Sequence, residues 1–149
     1  MTTFGLQLIE EPLHGVLLLE PRIHGDARGY FMETYRDEGS ISWVQDNESM
    51  SHRGVLRGMH FQRPPHAQAK LVSVVQGSVY DVVVDLRPAS PTYGKHFATV
   101  LSAENRRRLF IPAGFAHGFL TLADNSIFQY KCSALYAPAS EGAIDYRDA

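Results

Sequence analysis

The stretch Ile111-Pro-Ala-Gly-Phe-Ala-His117-Gly-Phe119 decides how this chain is read. Pro112 and Gly114 make a tight turn, because proline presets its own backbone and glycine admits left-handed conformations. The turn feeds His117 onto a strand-like run, and the strand then determines where the imidazole points. Arg57-Gly-Met-His60-Phe-Gln62 repeats the device, with a histidine at the start of a β-patterned run beside a glycine. Between and after the two stand Lys70, heading Lys70-Leu-Val, and Tyr130, in Phe128-Gln-Tyr130. Two imidazoles, an ammonium and a phenol in β-patterned segments are the parts needed to move protons beside a carbonyl. An enzyme is the leading expectation.

Strand signals recur along the chain, punctuated by Gly, Pro, Asn and Asp, while helix signals are almost absent. The best helix candidate is a short turn near Tyr35–Ser40. The pattern predicts strands at Val16–Pro21 and Tyr30–Tyr35, separated by a turn at His24-Gly-Asp-Ala-Arg28-Gly29. Leu71–Val75 and Val79–Leu86 flank Gln76-Gly77, which reads as a hairpin turn. Phe97–Leu101, Arg108–Ile111, Phe119–Leu122 and Ile127–Cys132 continue the series. Short strands at this spacing predict an all-β sandwich or barrel. Alternation along Val79–Leu86 puts Asp81 and Asp85 on one face with Val79 and Val83, and a core-facing Asp81 needs a partner. Several strands are apolar on both faces, which predicts that one sheet is also covered from outside, by a second subunit for example.

The bulk composition narrows the function. At 149 residues the chain fits a single domain, residues 1–149, with room for a core. A net charge of −2 gives no global field toward nucleic acid or an acidic membrane. The single cysteine, Cys132, excludes an intramolecular disulfide and suits a reducing, cytoplasmic compartment. No apolar run approaches membrane-spanning length, and the start Met-Thr-Thr-Phe-Gly-Leu lacks the features of a signal peptide.

The Pro112-x-Gly114-x-x-His117 turn resembles the second half of the cupin signature, which implies a jelly roll, or double-stranded β-helix. Metal-binding cupins place a His-x-His pair and a Glu in the first half. Here that region reads His60-Phe61-Gln62, followed by Lys70, and an ammonium repels a divalent cation, so no metal is expected.

A closer resemblance covers the chain from about Gly15 to its end, in order and spacing. It is carried by Gly25-Asp-Ala-Arg28-Gly-Tyr-Phe31-Met-Glu33, Val44-Gln45-Asp46-Asn47, Val55-Leu-Arg57-Gly-Met-His60-Phe-Gln62, Ala67-Gln-Ala-Lys70-Leu-Val and Ile111-Pro-Ala-Gly-Phe-Ala-His117-Gly-Phe. Val79-Tyr-Asp81-Val, Asp85-Leu-Arg87, Ser90-Pro-Thr-Tyr-Gly94 and Leu101-Ser-Ala-Glu-Asn105 add to it. These motifs resemble the dTDP-4-dehydrorhamnose 3,5-epimerase family. The resemblance implies a thymidine diphosphate sugar with a ketone at C4, whose neighbouring C3 and C5 protons are thereby acidified. Such an enzyme removes a proton, holds the enolate and returns a proton to the opposite face, with no redox cofactor or metal.

By resemblance His60 is the base, Lys70 the cation beside the C4 oxygen and Tyr130 the proton donor. A neutral imidazole can accept a proton near neutral pH, and a preorganised cation favours an enolate. His117 corresponds to a second substrate-contacting histidine, with Asp81 available to orient it. Arg57 suits bidentate phosphate contact. Arg28, Glu33, Gln45, Asp46, Asn47 and Glu141 join it as substrate-binding residues, and Tyr136 or Phe31 can stack on thymine. The early strand reaches the partner's site in the family, which implies a homodimer. Arg106-Arg-Arg108 reads instead as a solvated or interface face.

Family members continue past the point where this chain stops at Tyr146-Arg-Asp-Ala149, and that tail carries an acidic partner for the catalytic histidine. The chain is then truncated, or a short member in which Asp81 or Asp85 serves His60, or a weakened enzyme. A 3- or 5-monoepimerase, a metal-dependent cupin and a non-catalytic sugar-nucleotide binder are the competing expectations.

Overall fold

The computed structural model describes residues 2–147. Its strands, in chain order, are β1 (Thr2–Thr3), β2 (Leu6–Leu13), β3 (Val16–Glu20), β4 (Ile23–Asp26), β5 (Gly29–Met32), β6 (Gln45–Ser51) and β7 (Leu56–Gln62). They continue as β8 (Lys70–Gln76), β9 (Ser78–Asp85), β10 (His96–Ser102), β11 (Arg108–Ile111), β12 (Phe115–Thr121), β13 (Ser126–Cys132) and β14 (Glu141–Ala143). The larger antiparallel sheet runs β1-β2-β3-β11-β8-β13-β6 and the smaller β10-β9-β12-β7-β14. Without the flanking strands, β6-β13-β8-β11 faces β7-β12-β9-β10, which is jelly-roll order. The all-β cupin-like expectation holds. Among the described residues no helix is long and apolar enough to cross a membrane.

Period-two alternation builds the core. Val72, Val74, Leu109, Ile111 and Phe128 of the larger sheet meet Val79, Val83, Leu101, Phe115 and Phe119 of the smaller one. Each such side chain contributes about 1.5–3 kcal/mol when fully buried. The same larger-sheet strands send Leu17, Leu71 and Phe110 to the outer face. There Phe4, Tyr35 and Trp43 of the chain itself cover them. Part of the outside cover expected from a second subunit is therefore intramolecular.

That cover explains why no helix forms near Tyr35–Ser40. Residues 33–44 are irregular, with the Tyr35 and Trp43 rings each 5.8 Å from Phe4 and the Arg36 N–H donated to the Phe4 carbonyl at 2.8 Å. Tertiary packing overrides a weak local signal. The Gln76-Gly77 turn does not make a hairpin: β8 lies in the larger sheet and β9 in the smaller, so the turn crosses between sheets. His24-Gly-Asp26 belongs to β4, and the β4–β5 hairpin turns at Ala27-Arg28, with β5 ending at Met32 rather than Tyr35. β12 begins at Phe115, so His117 sits within the strand rather than ahead of it.

The Pro112–Gly114 turn is clamped from β9. Gly114 takes φ +95° and its carbonyl accepts the Leu86 N–H at 3.0 Å. Beside it, buried Asp85 accepts from Arg87 Nη2 at 2.9 Å and from Ser90 Oγ and Thr92 Oγ1 at 2.6 Å each. Burial opposes the charge on Asp85, but these donors outweigh it and hold the carboxyl well below the usual range. The Arg87 guanidinium also lies 4.7 Å from the Phe115 ring centroid, at the start of β12.

Candidate active site

A cavity of about 470 Å³ opens between the two sheets, and the chemistry-bearing residues converge on it. From the smaller sheet β7 contributes Arg57 and His60, and β12 contributes His117. From the larger sheet β8 contributes Lys70, β13 Tyr130 and β6 Asn47. Tyr136 and Glu141 close the rim. His60 and Tyr130 thus come from opposite walls.

His117 is held on two sides. Its Nε2 lies 2.8 Å from Asp81 Oδ2, both side chains being buried, and its ring stacks at 21° on Phe128 with centroids 5.9 Å apart. Phe119 stacks on the same Phe128 at 4.3 Å, so an aromatic floor underlies the histidine. The carboxylate that alternation brings into the core therefore has its partner. His60 stands opposite His117 across β7 and β12. Its Nδ1 is 3.3 Å from Glu141 Oε1. Neither Asp81 nor Asp85 serves His60, because each is already engaged, by His117 and by the Arg87 cluster.

Lys70 Nζ lies 5.5 Å from the centre of the Tyr130 ring. Burial pushes its pKa below the ordinary lysine value, while Cys132, Asp81 and Glu141 pull the other way. An ammonium held in so dry a place acts strongly on a negative oxygen set beside it. Burial pushes the Tyr130 phenol up, with Cys132 adding to the shift and Asn47 and Arg57 opposing it. Tyr130 accordingly keeps its proton at neutral pH and can donate it. Arg57 is aimed by its own bonds, Nε to Ser51 Oγ at 2.8 Å and Nη2 to the Met50 carbonyl at 3.3 Å.

The run Gln45-Asp46-Asn47 divides by strand parity. Asn47 lies opposite Tyr130 and lines the cavity. Gln45 stands behind it, donating to Asn47 Oδ1 at 3.0 Å and accepting the Tyr136 N–H at 3.0 Å. Asp46 points to the outer face and pairs with Lys131 at 3.2 Å, because consecutive strand residues cannot share a face. Arg28 and Phe31 lie on the β4–β5 hairpin, and Glu33 follows it, paired with Arg36 at 3.0 Å; none of the three lines its own chain's cavity. Of the arginine run, Arg106 lies over the Tyr30 ring and Arg107 pairs with Glu20, but Arg108 is buried rather than solvated.

Gln62 closes the Arg57-Gly-Met-His60-Phe-Gln62 motif. It is buried, donates to the His66 carbonyl at 2.6 Å and accepts the Ala137 N–H at 2.9 Å, tying the rim loop to β7. Its signal was its parity with His60. Among the described residues no group of three His, Cys, Asp or Glu side chains is placed to hold a metal ion.

Comparison with known proteins gives the family. The family model described as dTDP-4-dehydrorhamnose 3,5-epimerase matches residues 10–149. The dTDP-4-dehydrorhamnose 3,5-epimerase of Methanothermobacter thermautotrophicus is 51% identical over 148 residues, spanning 95% of this chain and 80% of the relative. The Bacillus anthracis enzyme of that name, solved with TDP and PPi bound, superposes with a TM-score of 0.93 at 43% identity, covering 96% and 86% of the two chains. The dTDP-6-deoxy-D-glucose-3,5-epimerase of Legionella pneumophila, solved with dTDP-4-keto-L-rhamnose, gives a TM-score of 0.91 at 43% identity over 96% and 79%. With the family model matching nearly the whole chain, the chain belongs to the dTDP-4-dehydrorhamnose 3,5-epimerase family.

Proposed function

We propose that this chain epimerises a dTDP-4-keto-6-deoxyhexose at C3 and C5, as a step in deoxysugar synthesis. The observation that carries the reading is the convergence of His60, Lys70 and Tyr130 on one cavity, base and acid on opposite walls. His60 removes the proton next to the C4 ketone, and the electron pair moves onto the C4 oxygen as an enolate. The Lys70 ammonium stabilises that oxygen. Tyr130 returns a proton from the other face, and solvent restores both residues. Atoms and electrons balance with no further reactant. Arg57 meets the diphosphate, and Tyr136 offers a stacking face for thymine. Conversion of the 4-keto sugar by the purified chain, followed by NMR, tests the reading; an unchanged sugar would contradict it and favour a sugar-nucleotide binder.

Tyr130→Phe separates the two proton transfers. The change removes one hydroxyl and keeps the ring, so abstraction by His60 continues while return from the opposite face slows. Exchange with retention should exceed inversion in NMR of the sugar. Equal losses of exchange and inversion would make Tyr130 a positioning residue.

The homodimer belongs to the same reading. Arg28, with a side chain 91% exposed, and Phe31, 72% exposed, stand on a hairpin turned away from their own cavity. On the outer sheet face, buried Arg108 has no acceptor for its Nε among the described residues and lines a second cavity with Met32 and Val75. A buried unpaired cation is costly, and a second copy seated there can supply an acceptor. Mixing inactive Arg28→Ala and His60→Asn chains should restore activity, since one composite site in each mixed dimer is then intact. No restoration would mean that each chain uses only its own Arg28. A cytoplasmic setting is supported by the lone buried thiol and is contradicted by recovery of the protein from the secreted fraction.

A further inference from the structure

The rim segment that carries Tyr136 belongs to no sheet. Residues 133–137 are irregular, and side chains hold their backbone groups in place of a strand ladder. Gln68 Nε2 donates to the Ala134 carbonyl at 2.8 Å, and Gln62 Nε2 to the Leu135 carbonyl at 3.3 Å. The Tyr136 N–H is donated to Gln45 Oε1 at 3.0 Å, and the Ala137 N–H to Gln62 Oε1 at 2.9 Å. Three glutamines thus hold four consecutive residues, and Gln62 grips both neighbours of Tyr136.

Gln62 suits this task by its chemistry and its place. A primary amide offers two donors and an acceptor on one rigid plane. Both donors and the oxygen are used, because beside the Leu135 and Ala137 bonds Nε2 also donates to the His66 carbonyl at 2.6 Å. The side chain is buried, so removing the amide leaves three backbone groups without partners in a dry place. The anchor is firm: Gln62 ends β7, which is held between β12 and β14. Tyr136 is the opposite case. It is 57% exposed and has little packing of its own to order it, yet it lines the cavity and donates its hydroxyl to Glu141 Oε2 at 2.9 Å.

We propose that Gln62 is a positioning residue for nucleotide binding: by gripping the backbone on both sides of Tyr136, it holds that ring as a ready stacking face for thymine. The proposal rests on the reading of Tyr136 as the thymine platform. A ring on a loose loop must be ordered each time a base stacks on it, and that entropy is subtracted from affinity. A ring whose backbone is already fixed at residues 135, 136 and 137 binds without that loss. Among the described residues Gln62 bonds to the backbone of the rim and of the loop after β7, and not to His60, Lys70 or Tyr130. Its removal is therefore felt in binding and not in proton transfer.

Gln62→Met tests this, since it keeps the length of the side chain and removes the amide. In hydrogen exchange followed by NMR, the Tyr136 and Ala137 amides exchange about tenfold faster or more, while those of β12 stay protected. Calorimetric dTDP affinity falls about five- to fiftyfold, within the worth of one base-stacking contact, and KM rises with it while kcat stays within about twofold. In a Tyr136→Ala background Gln62→Met lowers affinity no further, because the ring it holds is gone. An equal loss in both backgrounds would mean general damage and overturn the proposal, as would unchanged exchange at Ala137 or unchanged dTDP affinity. Gln62→Glu covers the case in which Gln62→Met does not fold. It keeps the shape and the acceptor for Ala137 but has no donor for Leu135, so affinity falls in the same sense, and unaltered exchange and affinity there would also overturn the proposal. No heat of dTDP binding by the unchanged protein would bring down the thymine reading itself, and the nucleotide role of Gln62 with it.

Discussion

His60→Asn abolishes deuterium exchange at both C3 and C5 of the keto sugar while dTDP binds as before. Asparagine keeps a polar side chain on β7 but has no group that accepts a proton near neutral pH. Without abstraction no enolate forms, so both carbons fall silent together. The diphosphate contacts do not pass through this residue: Arg57 is oriented by Ser51 and Met50, not by His60. Exchange persisting near the original rate would transfer the base role elsewhere. His117 is a poor substitute, since its Nε2 is bound to Asp81 and its ring is clamped on Phe128.

Lys70→Ala lowers turnover by a factor of order 10² or more, the usual worth of one preorganised oxyanion contact. The effect exceeds that of a surface cation because Lys70 is held at the head of β8 between Tyr130 and Cys132, where little water screens it. Its place there costs some of its basicity, and burial has already pushed its pKa down. Single-turnover kinetics should place the loss in the chemical step. A loss confined to substrate affinity would make Lys70 a binding residue and would leave the enolate without its stabiliser.

Much of this was legible from residue pattern. Alternation along β9 placed Asp81 and Asp85 in the core. Parity with Phe128 turned Tyr130 inward, and the Pro112–Gly114 turn delivered His117 to a central strand. What alternation decides locally, it also limits. A quoted run such as Gln45-Asp46-Asn47 cannot enter one cavity, and Asp46 faces outward with Lys131. Gln76-Gly77 is misleading for a different reason. A short glycine turn has the same sequence whether its flanking strands pair or cross to facing sheets, and the larger topology decides. The irregular cover over Phe4 follows the same logic, since Tyr35 and Trp43 are drawn to an apolar sheet face assembled from distant strands. The link between His60 and Glu141 was least legible. It exists only because β14 returns to the edge of β7, a pairing that no local periodicity announces.

Removal and return of the protons beside a C4 ketone can be watched directly. The unchanged chain is incubated with dTDP-4-keto-6-deoxyglucose in deuterated water and the sugar is followed by NMR. Deuterium should enter at C3 and C5, with the configuration inverted at each labelled carbon. A sugar that retains both protons, although the protein binds dTDP, would contradict epimerisation and leave a nucleotide-sugar binder built on an epimerase fold.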